Sequence, residues 1–151
     1  MKQTAQLKAA LERFGKGESH DAYQFMGCHP EVRRGQAGYV FRVWAPHARS
    51  VRVTGRFNDW DRESPVMEQI ASGIWERFIP DVQVYDEYKY YIERPDGSFV
   101  FRADPYGFHT CTRPDTATKV YDLAGFHWTD GNYRRARAHR RAVSSPVNIY
   151  E

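Results

Sequence analysis

Between Gly38 and Glu93 the chain repeatedly changes sides at every residue. In GYVFRVW, Tyr39, Phe41 and Val43 share one parity, and in SVRVT Val51 and Val53 do the same. IWERFI alternates Ile74, Glu76 and Phe78 against Trp75, Arg77 and Ile79, and DEYKYYIE opposes Tyr88, Tyr90 and Ile92 to Glu87, Lys89, Tyr91 and Glu93. A period of two is the mark of a strand, whose successive side chains point to opposite faces. SFVF and ATKVY read as further strands, while APHARS, ESP, ASG, RPDGS and ADPYG between them are turn chemistry. Short strands at this spacing, with no helix between them, predict antiparallel pairing in a β-sandwich. The firmest hairpin signal is RPDG, because Asp96-Gly97 supports a positive φ.

The flanks differ. Leu7, Leu11 and Phe14 recur at helical intervals, and Gly15 and Gly17 stop that pattern. After Asp122, WTDGNYRRARAHRRA suits a basic linker or short helix, and SSPVNIYE reads as the first strand of a further unit. The expected fold is all-β: an antiparallel immunoglobulin-like sandwich with a short N-terminal helix and a basic C-terminal linker or helix. The expected division is 1–22 for the helix and lead-in, 23–128 for the sandwich, 129–145 for the basic segment and 146–151 for the strand beyond it. At 151 residues the chain is long enough to bury a real core.

Charge narrows the function classes. The net charge of +3 traces to RRARAHRR, Arg134 to Arg141, which holds five arginines; the remainder carries 17 basic against 19 acidic residues. A near-neutral body argues against a nucleic-acid partner. No run is apolar enough for a signal peptide or a membrane span, so the expectation is a cytoplasmic chain with no membrane partner. Cys28 and Cys111 form no disulfide framework and suit a reducing compartment.

Cys28-His29 and His109-x-Cys111 lack metal-ligand spacing and read as free thiols and surface imidazoles, so no metal and no cofactor is expected. Asp59 and Asp61 flank Trp60 but suit a turn, where carboxylates accept from backbone N–H groups, better than a glycosidase pair. No catalytic residue is expected. The arginine segment lacks interleaved aromatics and reads as solvated. What stands out is aromatic content, with ten Tyr, nine Phe and four Trp. A flat ring packs on the C–H face of a sugar while polar neighbours take its hydroxyls. Trp60 on its turn, Asn58 beside it, Lys89 on the outward parity and Phe99 after the Asp96-Gly97 turn suit such a platform. A tucked Trp and an ordinary surface Lys fit the same residues, and both readings stay open at this point.

The run YVFRVWAPHARSVRVTGRFNDWD resembles the N-terminal β-sandwich of 1,4-α-glucan branching enzymes, a carbohydrate-binding module of family 48. The similarity continues through GIWERFIPDVQVYDEYKYYI, PDGSFVFRADPYG and RPDTATKVYD; SPVNIYE resembles the entry to the catalytic barrel, and AYQFMGCHPE the lead into the module. Debranching enzymes share the sandwich but usually lack this later run and exit. The resemblance implies a non-catalytic module, because the family's catalytic carboxylates lie in the barrel beyond Glu151. It implies two partners: α-1,4 glucan (glycogen, maltooligosaccharides) and that barrel. The glycogen-binding domain of the AMP-activated kinase β subunit is similar too. Its sugar contacts match Trp60, Lys89 and Phe99, the last a smaller platform than the family's Trp, with Thr116 and Thr118 in a later loop. Arg56 stands where branching enzymes commonly carry an acid, and Cys28 where they commonly carry Ala. Trp60, Lys89 and Phe99 are therefore expected on one exposed patch with Asn58, Thr116 and Thr118 at its rim. The competing expectation is a domain that braces the barrel and binds no sugar; a kinase-type targeting role fits the SPVNIYE exit poorly.

Overall fold

The computed structural model describes residues 2–139, 148 and 150. Strand β1 (Gly27–Arg33) pairs antiparallel with β2 (Gln36–Trp44), β2 with β5 (Ile74–Pro80), and β5 with β4 (Glu68–Ala71), giving a four-stranded sheet. The second sheet is organised around β6 (Glu87–Glu93). Along one edge of β6 lies β3 (Ser50–Gly55), and its other edge is shared end to end by β7 (Phe99–Arg102) and β9 (Thr118–Lys119). A short β8 (His109–Thr110) completes the sheet outside β9. The hairpin between β6 and β7 turns at Asp96-Gly97, with Gly97 at φ 83° and the Ser98 N–H donating to the Asp96 carboxylate at 2.9 Å.

Alternation becomes packing. Tyr39, Phe41 and Val43 of β2 meet Val51 and Val53 of β3 and Tyr88 and Tyr90 of β6 in one buried cluster, and Phe41 lies edge-on to Tyr88 at 5.0 Å. Each such side chain contributes roughly 1.5–3 kcal/mol of burial free energy. β5 is apolar on both parities because it serves two interiors. Trp75 and Ile79 face the sandwich core, whereas Ile74 faces outward under α1 (Lys2–Gly15), against Leu7, Leu11, Phe14, Phe25 and Met26. The helix stops in a Schellman arrangement: Glu18 N–H to the Arg13 carbonyl and Gly17 N–H to that of Phe14, both 3.0 Å, with Gly17 at φ 74°.

Several elements differ from expectation. Part of AYQFMGCHPE, read as a lead-in, forms β1, an edge strand where Pro30 can be tolerated. β4 and β8 were not anticipated, and the ATKVY strand shrinks to Thr118–Lys119. Of the two forms allowed for the basic segment, Gly131–Ala138 is a helix, α2. Arg140 and Arg141 lie outside the described residues, as does the expected strand 146–151 apart from Asn148 and Tyr150.

Candidate functional site: the outer face of the second sheet

The stretch GRFNDW makes the turn after β3, and Gly55, Phe57 and Asn58 each have a local task. A Cβ on Gly55 would stand 2.2 Å from the Glu87 carbonyl oxygen and 2.9 Å from the Tyr88 Cβ, so only glycine lets β6 approach. Phe57 turns inward, its ring 5.5 Å from that of Phe41. The Asn58 carboxamide accepts from Gly55 N–H at 2.8 Å and donates to the Val53 carbonyl at 3.3 Å, which closes the turn. Asp59 and Trp60 then follow at φ 51° and 58°, and Trp60 N–H donates to the Gly55 carbonyl at 2.9 Å. Left-handed backbone at a bulky residue costs roughly 1–3 kcal/mol, and such strain clusters at functional sites. The result is a Trp60 that is 37% exposed and belongs to neither buried cluster. Asp61 accepts from Glu63 N–H at 2.8 Å, a backbone role.

Lys89 and Tyr91 project from the same face of β6, opposite Thr54 and Arg52 of β3. Across the other edge, Tyr91 pairs with Phe101 and Glu93 with Phe99. Phe99 is 46% exposed, with its ring stacked on Tyr91 at 4.9 Å and 15°. Phe101 leans on Tyr91 at 4.7 Å, and the Arg62 guanidinium sits 5.2 Å from the Phe101 centroid and 6.0 Å from that of Tyr91. The picture of two rings around one ammonium group is thus corrected. Phe99 lies opposite Glu93, four residues along β6 from Lys89, or about 13 Å at strand rise, and Tyr91 intervenes.

Lys89 is less free than its parity suggests. Its Nζ lies 3.6 Å from the Asp115 carboxylate, and its side chain is 21% exposed. Asp115 also accepts from the backbone N–H groups of Ala117 and Thr116; these bonds, more than Lys89, hold its carboxyl below the usual range. The exposed Thr116 is therefore brought beside Lys89. Two rim residues are corrected. Asn58 is half-buried with its carboxamide committed to the turn. Thr118 is fully buried: it lies opposite Tyr88, shares its inward parity, and accepts the Asp104 N–H at 2.9 Å. Tyr91, Phe101, Arg62 and Asp115 had not been singled out. Outward parity marks Tyr91 and the spacing from Phe99 marks Phe101, but nothing local marks Arg62 or Asp115.

The cysteines are free. Burial pushes the Cys28 thiol far up, and His29 Nε2 lies 2.8 Å from the Met26 carbonyl oxygen. Among the described residues, Glu87, Cys111 and Asp115 bring ligand-type atoms within 4.8 Å of one another. Their charge is matched by protein cations, Lys119 at 3.9 Å from Glu87 and Lys89 at 3.6 Å from Asp115, and desolvation and Glu87 raise the Cys111 thiol.

Comparison with known proteins agrees with this architecture. The chain is 42% identical over 138 residues to the 1,4-alpha-glucan branching enzyme GlgB of Synechococcus sp. (strain WH7803), covering 91% of this chain and 18% of that protein. It is 40% identical over 139 residues to GlgB of Bacillus subtilis (strain 168), covering 91% of this chain and 22% of that one. This chain thus spans about a fifth of the relatives it matches. Among solved structures, the pullulanase complexed with maltotetraose from Anoxybacillus sp. LM18-11 shares the fold at a TM-score of 0.56 and 22% identity, over 70% of this chain and 15% of that one. The family model of carbohydrate-binding module 48 (isoamylase N-terminal domain) matches residues 25–107, which run from just before β1 through the Trp60 turn and past β7. With the two-sheet sandwich and this match in hand, the chain belongs to the carbohydrate-binding module 48 family.

Proposed function

We propose that this chain is the non-catalytic α-glucan-binding module of a 1,4-α-glucan branching enzyme. It holds glycogen or maltooligosaccharide chains and presents them to a catalytic barrel that lies beyond this chain. In this reading residues 23–128 bind sugar, 129–145 tether the module, 146–151 enter the barrel, and the enzyme works in the cytoplasm. The carrying observation is Trp60, left partly exposed by a turn whose Gly55, Phe57 and Asn58 all serve its geometry. Trp60 and Phe99 offer rings to sugar C–H faces, Lys89 donates to hydroxyls with Asp115 behind it, and Thr116 lies at the rim. Such a shallow site corresponds to a dissociation constant on the order of 0.1 to 1 mM, or about −4 to −5.5 kcal/mol.

Co-sedimentation with glycogen tests this. The parent chain should pellet with the polymer. Trp60→Ala should lose roughly 1–3 kcal/mol of binding and stay in the supernatant, while melting within a few degrees of the parent. A collapsed melting temperature would assign Trp60 to the core instead, at a cost of about 3–5 kcal/mol.

A second reading, a brace for the barrel without sugar affinity, has one observation in its favour. Leu123, Phe126 and Trp128 are exposed on the segment leaving the sandwich, and the last two rings pack edge-to-face at 5.0 Å. An exposed apolar cluster of this kind suits a protein contact. A parent chain that leaves glycogen in the supernatant would favour it.

A further inference from the structure

The loop that presents Trp60 also carries Arg62, two residues on. Two residues of chain reach at most about 7 Å, so the Arg62 backbone stays close to that of Trp60. The Arg62 side chain nevertheless ends over the rings of Phe101 and Tyr91, and Tyr91 is the ring on which Phe99 is stacked. Arg62 therefore ties the loop that carries Trp60 to the ring cluster of Phe101, Tyr91 and Phe99.

Its charge is also unmatched among the described residues. Arg33 and Arg42 are committed to Glu31 and Glu76, and Arg52 donates to the Ser64 carbonyl at 3.0 Å and to Ser50 Oγ at 3.2 Å. Arg62 is exposed and, among the described residues, forms no ion pair. A guanidinium close to aromatic faces is attracted by the ring quadrupole, and its five N–H donors form a planar fork. The fork formed by two of those N–H groups fits neighbouring oxygens, and a sugar ring carries hydroxyls on adjacent carbons.

Building on the glucan-binding reading above, we propose that Arg62 is itself a glucan contact. It donates to the hydroxyls of a sugar unit that lies between the Trp60 and Phe99 platforms. The ligand is an α-1,4 oligosaccharide long enough to touch both rings. A disaccharide held at Trp60 leaves the Phe99 platform unused, so a site that joins both platforms favours longer chains.

The test is a titration of the isotope-labelled full chain with maltoheptaose and with maltose, followed by nuclear magnetic resonance. At saturation with maltoheptaose, the Arg62 Nε–H and the Trp60 Nε1–H should shift along one curve. Arg62→Ala should weaken maltoheptaose about tenfold, the loss of one charge-assisted hydrogen bond, and weaken maltose less. Arg62→Lys should recover only part, because an ammonium has no fork. Maltoheptaose affinity that survives Arg62→Ala but is lost in Trp60→Ala overturns the inference and leaves the glucan-binding reading standing. Equal losses for both sugars overturn the bridging position. A parent chain that binds neither sugar removes both. Should Arg62→Ala melt far below the parent, the Nε–H signal in the parent decides, and a resonance that stays fixed at saturation overturns the proposal.

Discussion

Tyr88, Tyr90 and Tyr91 sit within four residues of one strand, yet the first two and the third live under different rules. Tyr88 and Tyr90 are fully buried on the inner face of β6, and their hydroxyls donate to one oxygen of Asp104 at 2.7 and 3.0 Å. The other Asp104 oxygen accepts the Tyr106 N–H at 2.8 Å. Burial pushes both phenols well up, and it raises the Asp104 carboxyl despite the bonds that favour its charge. Tyr91, half-buried on the outer face, is held by Phe99, Phe101 and Arg62. On the inner face every polar atom needs a protein partner, so removing one group strands another. Water can replace what is lost on the outer face, which leaves those side chains available for a ligand.

The contrast can be broken most directly at the tyrosines themselves. Tyr88→Ala empties a packed position and should cost about 3–5 kcal/mol in urea unfolding. Tyr91→Ala should cost at most about 1 kcal/mol, near the range of surface changes, while weakening maltoheptaose through Phe99. Equal stability losses would show that the two faces are energetically alike.

Gly55 lies where the faces meet. Gly55→Ala pushes a methyl group into the Glu87 carbonyl and should cost about 1–3 kcal/mol, with glucan binding reduced because the Trp60 turn is displaced. Wild-type stability in that variant would show that β6 can retreat freely. It would also loosen the link between core packing and platform geometry.

The smallest effect is a pH dependence. The Asp104 carboxyl is raised above its unfolded value. Its contribution is then fully present below the unfolded value of about 3.9 and is lost as pH rises through the folded one. Asp104→Asn removes that titration. The stability advantage of the parent over this variant should therefore grow as unfolding is measured from pH 7 down toward pH 4. A difference that stays constant would mean that the bonds from Tyr88 and Tyr90 fully offset burial.

Much of this could be read without coordinates, and the reason is local. Alternation in GYVFRVW, SVRVT and DEYKYYIE is a property of neighbouring residues; it groups Tyr39, Phe41 and Val43, then Val51 and Val53, then Tyr88 and Tyr90 on single faces with Lys89 opposite, and the structure buries those faces in one core. The Asp96-Gly97 turn is legible for the same reason, whereas local pattern leaves Trp60 open between a tucked and a presented ring, and the family resemblance is what points outward. Other features depended on which distant segments pair. Thr118 takes the parity of Tyr88 only because β9 joins the same edge of β6 as β7, and it is buried for that reason. Asp115 reaches Lys89 through the same pairing. The loop after Trp60 brings the Arg62 guanidinium over Phe101 and Tyr91. By itself the sequence determined which side of each long strand faces inward, because that choice repeats every two residues. Only the tertiary structure decided which outward side chains meet, because those contacts close over loops whose path no local pattern encodes.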